Sequence, residues 1–188
     1  MTLYDKGLIR AMKKAYKEDG YYVALTDRGV LIQTDFWGAE ITYGAVPNSV
    51  KSLIVLHNGA MPRMNTAVLV QKKECASAIL ETVVNTVDDL SKAFSATGGA
   101  PIKPTRLTFD GMRVWQTTND LRLRLVDVDD QQILAGENLD GMLVCEYIFS
   151  QTWFGCMYVR PQIIDPDDKA LMEHMAQMQW ISLDDFEE

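Results

Sequence analysis

Tyr21-Tyr22-Val23-Ala24-Leu25-Thr26-Asp27-Arg28-Gly29-Val30-Leu31-Ile32-Gln33-Thr34-Asp35 is the stretch that decides the fold class. Two β-rich runs, Tyr21 to Thr26 and Val30 to Asp35, flank Asp27-Arg28-Gly29, a short turn that places glycine where a positive φ is expected. Such a hairpin pairs antiparallel strands. Upstream, Leu3 to Asp19 reads as a helix, because Leu8, Met12 and Ala15 recur on one face with Ile9 and Tyr16 beside them. Gly20 stops it. Its opposite face carries Lys6, Arg10, Lys13 and Lys17.

Downstream, Ala39 to Val46 predicts a third strand ended by Pro47-Asn48-Ser49. Lys51 to His57 and Thr66 to Gln71 predict two more strands around the loop Asn58 to Arg63. Glu74 to Phe94 predicts a helix whose stripe is Ala76, Leu80, Val83, Val87 and Leu90, with a flexible connector from Ser95 to Pro101. Strands resume at Thr105 to Phe109 and Met112 to Gln116 around Asp110-Gly111. In Leu121 to Val128, leucines alternating with Arg122 and Arg124 predict one buried and one wet face. Met142 to Ser150 and Cys156 to Gln162 predict a final hairpin, and Asp165-Pro166 opens a last helix with Leu171, Met175 and Met178 on its apolar face.

The order is helix, strands, helix, strands, helix, with antiparallel hairpins dominant. It predicts an α+β fold: antiparallel sheet built from two helix-plus-hairpin units with a C-terminal helix. The expectation is one domain over residues 1–180 and an acidic C-terminal tail over 181–188. Leu25-Thr26, Gly29 and Ile32 align with Leu107-Thr108, Gly111 and Val114 at one offset, which suggests a quasi-repeat of 1–71 and 72–162.

Composition bounds the functional classes. Hydrophobic residues are 47% and charged residues 23% of 188, so the chain has the means to build a core. No apolar run is long enough to cross a bilayer, and the first ten residues lack a secretory pattern. Cys75, Cys145 and Cys156 are unclustered, which predicts buried or half-buried free thiols in the cytoplasm. A net charge of −8 discourages nonspecific adhesion to nucleic acid or anionic membrane.

Motifs for phosphate loops, dinucleotide binding and nucleophile elbows are missing, and neither His57 nor His174 has ligands at zinc spacing. No catalytic residue, metal or cofactor is expected, and a binding protein is favoured over an enzyme. An enzymatic alternative would be built around His57 or around Asp127, Asp129 and Asp130, the one tight acidic cluster within the domain. The aromatic group Tyr147, Phe149, Trp153, Phe154 and Tyr158 reads as core or interface packing. Trp180, Leu183 and Phe186 set bulky apolar groups among acids, a pattern suited to docking on a protein partner or to covering the chain's own core.

The basic first helix and the run Phe109-Asp110-Gly111-Met112 … Thr118-Asn119-Asp120-Leu121 carry a resemblance. Over Leu3 to Val128 the order of elements resembles the repeating unit of DNA sliding clamps. The resemblance implies units lining a ring with basic helices inside, and Lys6, Arg10, Lys13 and Lys17 on phosphates. The leading expectation is a non-enzymatic adaptor acting through protein contacts or self-association. The alternative is a nucleic-acid-associated factor of clamp-like architecture.

Overall fold

A computed structural model describes residues 5–120, 122–134 and 141–163. The opening hairpin closes as predicted. Strand β1 (Tyr21–Leu25) pairs antiparallel with β2 (Gly29–Gln33), from Leu25 against Val30 to Tyr22 against Gln33. Thr26 ties the turn, its hydroxyl accepting the N–H groups of Arg28 and Gly29 at 3.2 Å each. Gly29 owes its identity to close approach rather than to positive φ: a Cβ there would lie 2.1 Å from the carbonyl oxygen of Ile41. The helix α1 (Asp5–Lys17) precedes the hairpin and buries Leu8, Ala11, Met12 and Ala15, each large member contributing about 1.5–3 kcal/mol of apolar burial.

Strand β3 (Trp37–Thr42) follows. Residues 51–57 are not a strand but part of helix α2 (Asn48–Asn58). The β-branched run Ile54-Val55 suggested extension. The deciding pattern is Val50, Leu53 and Ile54, buried at helical spacing after Pro47, with Gly59 in the left-handed region donating its N–H to Val55 at 2.8 Å. Strand β4 (Thr66–Val70) lies where expected. The helix expected from Glu74 instead begins with a short strand β5 (Ala76–Ala78), paired to β4, before α3 (Leu80–Thr97). The expected connector from Ser95 is thus partly helical, and Gly98 closes it by donating to Phe94 at 2.7 Å.

The second half holds β6 (Ala100–Phe109), β7 (Met112–Thr117), β8 (Leu123–Asp127), a 3-10 turn (Asp130–Ile133), β9 (Gly141–Val144), β10 (Tyr147–Thr152), β11 (Gly155–Val159) and β12 (Gln162–Ile163). The expected final hairpin is a three-stranded meander. Cys145, at φ 54, turns the chain between β9 and β10. In β8 the expected buried leucine face packs only a satellite cluster with Val114, while Val126 on the other face joins the main core. The last helix, His174, and Trp180, Leu183 and Phe186 lie outside the described residues.

Among the described residues twelve strands form one antiparallel sheet in the order β12-β8-β7-β6-β9-β10-β11-β3-β2-β1-β4-β5. The first half runs β3-β2-β1-β4-β5 and the second β8-β7-β6-β9-β10, the same order of connection. Only Arg160 and Pro161 separate β11 from β12, yet β12 pairs with β8 at the sheet's far end. The second half therefore rolls up until its ends meet, with Ile102, Trp115, Val126, Leu143 and Ile148 in the core it shares with α1 and α2.

The sheet is covered on both faces, which is why β2 is buried at every position. Val30 and Ile32 face the α1 and α2 side; Leu31 faces α3 together with Ala24, Phe149 and Tyr158. The aromatic group predicted to pack does so in part: Phe149 contacts Phe94 of α3 and Tyr158 meets Tyr147 edge-on, while Trp153 is 75% exposed. Helices α1 and α3 lie on opposite faces, and the clamp-like resemblance is not confirmed by the fold. Among the described residues no helix is long and apolar enough to cross a membrane.

Candidate functional site

Two clusters flagged separately in the sequence meet in the structure. The rolled sheet brings the end of β8 and the following 3-10 turn against α1. Lys14 Nζ lies 3.5 Å from Asp127 Oδ2, across 113 residues of chain, and Arg10 reaches Gln132 Oε1 at 2.9 Å and Asp129 Oδ1 at 3.8 Å. The acidic cluster is thus no free loop tip. Asp127 also shapes its own turn, Oδ1 accepting the N–H groups of Asp129 at 2.8 Å and Asp130 at 3.3 Å.

Between these elements opens a cleft of about 460 Å³. Helix α1 and the residue just after it supply Lys14 and Glu18, the β2–β3 turn Asp35 and Phe36, β8 Asp127, the 3-10 turn Asp130, and the β11–β12 link Arg160. Tyr22, Trp37, Leu69 and Met112 add apolar surface. The link is fixed to the turn by the Arg160 N–H, which donates to the Phe36 carbonyl at 2.6 Å.

Both cations of the cleft have carboxylate partners. Arg160 is drawn to Glu146 at 3.5 Å and lies 5.9 Å from the centre of the Tyr147 ring. Lys14 is held by Asp127. Burial opposes its charge, but Asp127 and Asp130 outweigh that and raise its pKa. Glu18, Asp35 and Asp130 make no ion pair among the described residues. Burial, followed by repulsion from Asp127, pushes the Asp130 carboxyl up to about 6. The cleft therefore presents a surplus of negative charge with one carboxyl poised near neutrality.

His57 belongs elsewhere. It sits in the last turn of α2, not at a strand end, stacked on Tyr16 at 3.8 Å with planes 8° apart. Its Nδ1 shares a 2.9 Å hydrogen bond with the Tyr21 hydroxyl. Burial, then Lys13, lowers its pKa, so the ring is neutral at pH 7. This is a docking contact between α1, α2 and β1. Lys6, Arg10, Lys13 and Lys17 line a shallow groove beside the cleft. The thiols correct another expectation: Cys75 and Cys145 are exposed, and Cys156 alone is buried, its pKa pushed up to about 12 by burial. Among the described residues no three His, Cys, Asp or Glu side chains converge as a metal site.

Sequence reading missed Glu18, Asp35, Phe36 and Arg160, which carry no local motif and acquire meaning only when the sheet rolls. The available signal was charge complementarity between Arg10 and Lys14 on one helix and Asp127 and Asp129 on one loop. Comparison with family models, curated proteins and solved structures finds no match for the chain.

Proposed function

We propose that the protein is a non-enzymatic binding protein whose cleft takes a basic segment of a protein partner. One observation carries the reading: Glu18, Asp35 and Asp130 line a single cleft and make no ion pair among the described residues, beside the rings of Tyr22 and Phe36. A lysine or arginine lays its alkyl stem on such rings and carries its charge to such carboxylates. Binding is favoured over catalysis because the two candidate catalytic groups are spoken for: Asp127 Oδ1 holds its turn, and His57 Nδ1 is engaged by Tyr21.

The test is fluorescence anisotropy with a labelled lysine- and arginine-rich peptide against an acidic peptide of equal length. The basic peptide should bind selectively, and D35N/D130N should weaken it about tenfold, equivalent to roughly 1.4 kcal/mol. Equal binding of both peptides, or no effect of the variant, would reject the reading.

The groove along Lys6, Arg10, Lys13 and Lys17 favours a second reading, a contact with nucleic-acid phosphates. It requires no clamp-like ring. Duplex binding that falls steeply with salt and disappears when these four are neutralised would support it over the first.

A further inference from the structure

Strand β5 ends the sheet, and no described strand pairs with its outer side. Natural edge strands are guarded by charge, proline, bulges or brevity. The opposite edge, β12, has two residues and follows Pro161. The side chains of β5 are Ala76, Ser77 and Ala78, small and uncharged, and the extended backbone continues through Ile79, at φ −79 and ψ 119. Exposed apolar groups gather there. Ile79 is 68% exposed, and the Cys75 thiol lies 3.6 Å from the His57 carbonyl, which places the last turn of α2 beside the edge with Leu56 77% exposed.

We propose that a second copy of this chain covers this edge, β5 pairing antiparallel with the partner's β5 about a twofold axis through Ser77. The segment is self-complementary in that register. Ala76 faces the partner's Ala78 and Cys75 faces the partner's Ile79, so apolar meets apolar along the whole extended segment. The pairing extends the sheet from twelve strands in one chain across both copies and shields Ile79.

The test uses the full chain. Light scattering over a wide concentration range should show a species of twice 21.2 kDa. S77K sets two lysines directly opposite each other and should weaken dimerisation about tenfold without altering the circular dichroism spectrum. I79C reads the register itself. Directly opposed residues lie about 4.5–5.5 Å apart at Cα, within disulfide reach. Under oxidised glutathione I79C should form a covalent dimer, Cys75 of each copy bonding to the thiol introduced on the other, and I79C/C75S should not. A wild-type monomer at every concentration, dimerisation indifferent to S77K, or crosslinking by I79C no greater than by I79C/C75S would each overturn the proposal.

Discussion

Gly38 is glycine because a ring occupies the space its side chain would need. A Cβ there would stand 2.4 Å from Cζ of Tyr158, its partner across β3 and β11. That ring cannot swing aside, since its hydroxyl donates to Gln33 Oε1 at 2.7 Å in the buried layer under α3. G38A should therefore cost about 1–3 kcal/mol, read as a lower urea midpoint with unchanged slope. Asp130 makes the stability depend on pH. Its carboxyl titrates at about 6 in the folded protein and at 3.8 when unperturbed, so the folded state holds the proton longer. Stability falls as pH rises between those values and stays reduced above about 6. D130N should stabilise the protein by roughly 1 kcal/mol at pH 8, after allowance for solvent screening, and by nothing below about pH 4. Residue-scale reading of the sequence found Asp127, Asp129 and Asp130 and the basic side chains of α1. It could not see that Lys14 and Asp127 touch, because that contact depends on how the intervening strands roll.

Elements were legible in proportion to their local pattern. Helix α1 and the β1–β2 hairpin carry strong local patterns and both form, although Gly29 serves close approach to Ile41 and not the positive φ its turn position suggested. Helix α2 was misread because Ile54-Val55-Leu56 resembles a strand over three residues, while its helical stripe needs the longer window from Val50 to Ile54. Strand β5 was invisible for the opposite reason: Ala76-Ser77-Ala78 has little β propensity, and pairing with β4 imposes the extended form. The docking of α2 rests on His57. H57A removes a ring stack and leaves the Tyr21 hydroxyl, on a fully buried residue, without its partner, a loss of about 2 kcal/mol by thermal melting. The pH signature is also defined. Because the folded pKa of His57 is depressed, its contribution is complete above about 6.5 and is lost as pH falls through the lower value. Asp130 acts with the opposite sign over part of that range, so the histidine slope is best measured in a D130N background.

At the scale of the whole molecule, α+β class and antiparallel pairing followed from the order of hairpins, but the single sheet of twelve strands did not. Its halves are joined by the pairing of β11 with β3 and its rolled end is closed by that of β12 with β8, contacts between segments far apart in the chain with no local signature. These pairings also build the cleft, by carrying Asp127 and Asp130 to α1 and Arg160 to the β2–β3 turn.

Binding of basic peptide by this assembled cleft can be mapped residue by residue. The most direct measurement is an amide chemical-shift titration of the labelled protein with the lysine- and arginine-rich peptide at pH 7. Shifts should concentrate at residues 14–18, 35–37, 127–130 and 160 and weaken as pH drops below about 6, where Asp130 takes up its proton. Shifts centred on the exposed face of Lys6, Lys13 and Lys17, or none at saturating peptide, would contradict it.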